Sequence, residues 1–140
     1  MWILNFNKNQ ERRFITEDFC NAISQNQVAA LPKILRVLKK NNVIESEIRN
    51  LQFFFYTNTA GKAKLLSEEL QKKEYSAEYK IAAHNKKQFV ITGRTGEIAL
   101  EQNTLAKWAK EMCALGFKCD CEFDGWGTEI NQDNISNEVR

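Results

Sequence analysis

Residues 103–124 read NTLAKWAKEMCALGFKCDCEFD, and the spacing of apolar side chains changes part-way through. In the first part Leu105, Trp108, Ala109, Met112 and Leu115 recur at i, i+3, i+4, i+7 and i+10, one face of a helix. Asn103 or Thr104 is placed to start that helix and Gly116 to end it. In the second part Phe117, Cys119, Cys121 and Phe123 alternate with Lys118, Asp120, Glu122 and Asp124. Period two marks a half-buried strand, so the stretch predicts a helix feeding directly into a strand.

The same reading extends upstream. Tyr75, Ala77, Tyr79 and Ile81 alternate with polar residues, and Gln88–Gly93 follows the loop AAHNKK, which predicts an antiparallel hairpin. Before it, Asn58 or Thr59 caps a helix running to about Lys73. That helix is expected to turn Leu65, Leu66 and Leu70 inward while Lys62, Lys64, Glu68 and Glu69 stay wet. Leu51–Thr57 (LQFFFYT) is an aromatic-rich strand. The order from residue 51 is strand, helix, strand, strand, helix, strand. A βαββαβ series folds into an α+β, ferredoxin-like (split βαβ) antiparallel sheet with both helices on one face. The first and last strands are expected side by side in its middle.

Residues 1–50 are less regular. Trp2, Leu4 and Phe6 alternate as in a short strand, and Thr16 can cap a helix that carries Glu17 and Asp18 in its first turn. A second helix is expected with Pro32 in its first turn, an Ile34, Leu35 and Leu38 stripe, and Lys39 and Lys40 at its end. The expected organisation is an N-terminal helical extension over 1–50, packed on the domain and covering part of the sheet's open face. A ferredoxin-like domain over 51–130 follows, and the polar tail 131–140 is expected to fray.

A chain of 140 residues, 43% apolar with fifteen aromatic residues, has the composition of one globular domain and excludes wholesale disorder. No apolar run approaches the roughly 18 residues of a membrane span. The start MWILNFNKNQERR puts apolar residues before charges, the reverse of a secretion signal, so the cytoplasm is the expected address. The formal charge of +2 conceals a division. Residues 1–119 carry nineteen bases and twelve acids, a net of +7, whereas residues 120–140 carry six acids and one base, a net of −5. Such a split suits either a nucleic-acid face on the body or an acidic contact with a basic partner.

Catalytic signals are few. Four cysteines form no C-x-x-C pair and there is one histidine, so neither a metal nor another cofactor is expected, and the thiols are expected reduced and buried. His84 lies in the hairpin loop with no nucleophile near it in sequence. Asp120, Glu122 and Asp124 are expected on the polar side of the last strand, neighbours about 7 Å apart. Three carboxylates in that pattern make a solvated or partner-facing edge more readily than a glycosidase pair. Gly93-Arg94-Thr95-Gly96 reads as a plain turn, and no phosphate-binding loop occurs. Sheets of this type also bind RNA through exposed aromatics on central strands, but acids on the last strand repel phosphate, which argues against direct nucleic-acid binding. In Asp124-Gly125-Trp126-Gly127-Thr128-Glu129, two glycines flank a tryptophan that is either a plug closing the sheet end or an exposed anchor for a partner.

The ending Cys121-Glu122-Phe123-Asp124-Gly125-Trp126-Gly127-Thr128-Glu129-Ile130 resembles the carboxyl-terminal signature of the ribonuclease E inhibitor family, regulator of ribonuclease activity B. The aromatic strand Phe53–Tyr56, the helix ending near Lys73-Glu74-Tyr75, the hairpin and the helix Leu105–Leu115 follow the same order, over roughly residues 31–130. The resemblance implies a non-enzymatic protein that binds the endoribonuclease of the RNA degradosome and lowers its activity. The candidate partner-binding residues are then Asp120, Glu122 and Asp124 for charge, with Gly125, Trp126, Gly127, Thr128 and Glu129 as the turn that follows. Members of that family are often strongly acidic. Here the acidity is confined to residues 120–140, and any electrostatic grip with it. A second reading suits the small size and acidic edge equally: an immunity protein that covers the active site of a cognate nuclease toxin.

Overall fold

A computed structural model describes residues 13–129. Its elements are α1 (Glu17–Lys40), β1 (Ile48–Thr57), α2 (Ala60–Lys72), β2 (Glu78–Ile81), β3 (Phe89–Ala99), α3 (Gln102–Lys118) and β4 (Glu122–Gly127). The four strands form one antiparallel sheet in the order β2-β3-β1-β4, the split βαβ arrangement. The expected leading strand at Trp2, Leu4 and Phe6 and the tail 131–140 lie outside the described residues. Among these residues no helix is long and apolar enough to cross a membrane.

The centre of the sheet differs from the expectation. β1 and β4 are neighbours as expected, but the middle pair is β1 and β3, and β4 is an edge strand. The central strands are also longer than expected, because β1 and β3 stay paired from Thr57↔Phe89 to Ile48↔Ala99, across one register shift between Asn50 and Gln52.

Among the described residues, the two helices expected after Thr16 are one. Pro32 sits inside α1, where it lacks the N–H that would bond the Val28 carbonyl. The helix continues because the stripe Cys20, Ile23, Leu31, Ile34, Leu35 and Leu38 packs into the core on both sides of the proline, with Leu31 fully buried. Thr16 caps its start by accepting the Phe19 N–H at 3.2 Å. α1 lies along α3 and reaches β4, so it widens the helical layer, whereas it was expected over the sheet's opposite face.

Alternation along β1 sends Leu51, Phe53, Phe55 and Thr57 to the helical side, all of them buried. Gln52, Phe54 and Tyr56 therefore face the other way. Phe53, Phe55, Phe123, Trp108 and Trp126 make a chain of aromatic contacts, among them Phe55–Phe123 at 5.1 Å and Trp108–Phe123 at 6.0 Å between ring centroids. From α2, Ala63, Leu66 and Leu70 enter this core, whereas Leu65, expected inward, is half exposed. All four cysteines are free and buried, and burial pushes the Cys113 and Cys121 thiols up to about 12.

Candidate partner-binding surface

The run FKCDCEFD is three structures, not one strand. Phe117 and Lys118 end α3, Cys119 caps it, and β4 starts only at Glu122. Between them the Cys121 N–H donates to the Gly116 carbonyl at 2.7 Å and the Asp120 N–H to the Phe117 carbonyl at 3.0 Å. This is the Schellman pattern, with Asp120 in the left-handed position at φ +58° that glycine usually takes. Gly116 is inside the last helical turn, where a Cβ would lie 2.7 Å from the Cys121 carbonyl oxygen and collide with it.

Why an aspartate occupies the left-handed position follows from its side chain. Its carboxylate accepts the Phe14 N–H at 2.7 and 2.9 Å, the Ile15 N–H at 2.9 Å and the Lys62 ammonium at 2.7 Å. Arg13 stands 3.7 Å away and stacks over the Phe117 ring at 4.3 Å. Burial by itself would raise the Asp120 pKa, but the bonds from Lys62, Phe14 and Ile15 and the Lys62 charge outweigh it and hold the carboxyl below its usual range. Asp120, 7% exposed, thus faces inward and is separated from the two acids that follow it.

Along β4 the pairing shifts: Phe55 opposes Phe123, but Phe54 opposes Gly125, which leaves Asp124 as the extra residue of a β-bulge. Phe123 and Trp126 are three apart and would point to opposite faces of a regular strand. The bulge puts both on the helical side, where Trp126 meets Trp108 edge-on at 6.1 Å and 85°. Trp126 is half-buried there, and its indole N–H and the Thr128 hydroxyl have no partner among the described residues. Gly125 needs its freedom, since its φ is +148°. Gly127 has open space where a Cβ would stand, so sterics do not demand glycine there. Beyond the strand, the Glu129 carboxylate pairs with Arg94 at 2.6 Å and its carbonyl accepts from Arg49 at 2.7 Å. The Arg94 contact holds the Glu129 carboxyl below its usual range.

Glu122 pairs with Tyr56 across the strands and lies on the sheet's open side. With Asp124 it borders a cavity of about 310 Å³ that Phe14, Tyr56, His84 and Gln88 complete. The loop between β2 and β3 brings His84 edge-on to Tyr56 at 5.0 Å. Partial burial first, and the Asp124 charge second, raise the Glu122 pKa. The sequence singled out the two acids and the histidine, but nothing local in it shows that they share a cavity. Phe14 and Gln88 carried no signal at all. Among the described residues no group of three His, Cys, Asp or Glu side chains is placed to hold a metal ion.

Compared with known families, residues 29–128 match the one described as regulator of ribonuclease activity B. The chain belongs to that family. The matched stretch begins inside α1, takes in the whole sheet and ends just past β4, so the Asp120 turn, the bulge and Trp126 all fall within it. No curated protein matches the chain. Regulator of ribonuclease activity B proteins are a regulatory family, and their description assigns this chain to the control of ribonuclease activity.

Proposed function

We propose that this protein binds an endoribonuclease in the cytoplasm and lowers its activity by protein–protein contact, without chemistry of its own. The family match over residues 29–128 carries this reading. Glu122, Asp124 and the end of β4 would supply the contact surface. Support for that choice comes from the ion pairs of the described residues, which engage Glu47, Glu69, Asp120 and Glu129 but neither Glu122 nor Asp124. Asp120 passes out of the contact set and Trp126 becomes a brace for the strand end.

The test is a cleavage assay of the cell's main endoribonuclease on a defined RNA, with and without the protein, alongside a binding measurement. Slower cleavage and a stoichiometric complex are expected. Reversing both charges, Glu122→Lys with Asp124→Lys, should slow association several-fold while the fold persists. Unchanged association in that double variant overturns the surface, and normal cleavage at saturating protein overturns the reading itself.

A further inference from the structure

On the sheet's open side, aromatic rings and two carboxylates converge on one small cavity. Its volume, about 310 Å³, stands at the bottom of the range for small-molecule sites and suits a single side chain. Tyr56 forms part of one wall, fixed by its central strand and by His84 at 5.0 Å. Glu122 and Asp124 form another, with two carboxylates that have no ion-pair partner among the described residues. Like charges beside each other in a partly desolvated place are unfavourable until a cation arrives.

We propose that this cavity receives an arginine side chain from a protein partner, with the guanidinium against the Tyr56 ring and hydrogen-bonded to Glu122 and Asp124. The proposal rests on the reading of the protein as a ribonuclease-binding regulator and adds which side chain of the partner is read. Arginine fits better than lysine. Its planar, weakly hydrated cation stacks on an aromatic face and donates in a fork that matches a carboxylate, whereas an ammonium remains strongly hydrated. An anionic or neutral group would leave the Glu122–Asp124 repulsion in place. The Glu122 carboxyl, raised by burial and by Asp124, would be stabilised as the anion by such a guest.

The experiment uses the full chain, labelled with ¹⁵N, and N-acetyl-arginine amide as the probe. N-acetyl-citrulline amide, which keeps the shape and lacks the charge, serves as its counterpart. Arginine should shift the amides of Tyr56, His84, Gln88, Glu122 and Asp124 in a saturable way at millimolar concentration, and citrulline should shift them at least fivefold less. Glu122→Gln with Asp124→Asn should abolish the arginine shifts while the rest of the spectrum stays dispersed, which checks folding. Tyr56→Leu should weaken binding several-fold. Equal shifts from citrulline overturn the proposal, as do arginine shifts scattered over the surface acids. Localised shifts from a short single-stranded RNA, with none from arginine, overturn it in favour of a nucleic-acid face. Failure of the parent reading is separable: arginine capture without ribonuclease inhibition overturns the regulator and keeps the cavity, whereas inhibition without arginine capture overturns the cavity alone.

Discussion

The two edges of the sheet are finished in opposite ways. At one, β4 is met by α3 and α1: Phe123 and Trp126 close against Trp108, and the Gln27 amide donates to the Asp124 carbonyl at 3.4 Å. At the other, β2 is four residues long and every one of them is exposed, with Ile81 at 57% and Tyr79 at 39%. An unpaired edge invites further strands, and proteins blunt it by covering it or by keeping it short and charged. This fold does the first at β4 and the second at β2, where Glu78 and Lys80 alternate with the apolar pair. Keeping an edge short costs little packing, whereas covering one commits a helix, an aromatic stack and a bulge to a single arrangement. Perturbations at the β4 side should therefore cost far more than perturbations at β2.

The largest effect is expected from Trp108→Ala, which removes the ring that both Phe123 and Trp126 rest on. Urea denaturation should show a loss of about 3–5 kcal/mol. Trp108→Phe, which keeps a ring and drops an N–H without a partner among the described residues, should cost clearly less. Next comes Asp120→Ala, with an expected loss of about 2–4 kcal/mol, because it strips a buried acceptor from two backbone N–H groups and from Lys62. The pH dependence has a definite sign. The folded Asp120 pKa is lowered, so its contribution is complete above the unfolded value of about 3.9 and is lost as pH falls through the folded one. Stability curves of the parent and of Asp120→Asn, measured by thermal melts, should converge in acid below about pH 4.

A smaller loss, about 1–2 kcal/mol, is expected for Gly125→Ala in the same denaturation assay. Space is not the obstacle, since the nearest atom to an added Cβ is Gln27 Nε2 at 3.7 Å; the φ of +148° is. The smallest effect belongs to the open edge. Ile81→Thr should change stability by less than about 0.5 kcal/mol. A loss of 2 kcal/mol or more there, or none from Trp108→Ala, would erase the contrast between the edges.

The order of elements and the inward stripe of α3 were legible because each is written in a local period. The end of α3 was not. Alternation through Phe117–Asp124 imitates a strand, yet it is assembled from a helical turn, a left-handed turn and the first residues of β4. Pro32 misled in the opposite sense: as a first-turn residue it started a second helix, although the stripe from Cys20 to Leu38 continues on both sides of it. Packing against α3 decided that case, and packing is not a local signal. Asp120 was read as a surface acid because its partners lie elsewhere in the chain, at Phe14, Ile15 and Lys62. The cavity beside Glu122 draws on four separate segments, which only the folded sheet brings together.

The Asp120 bonds to Phe14 and Ile15 span 106 and 105 residues, nearly the whole described chain. Closing so long a loop in one step costs on the order of 4 kcal/mol of chain entropy, so these contacts are poor candidates for a folding nucleus. They are expected to form once βαββαβ has condensed and shortened the effective path between the ends. Contacts made after the transition state act on the rate of escape from the native state rather than on the rate of reaching it. Asp120 is therefore expected to contribute to how long the finished molecule persists, and Asp120→Ala should speed unfolding while leaving refolding nearly unchanged.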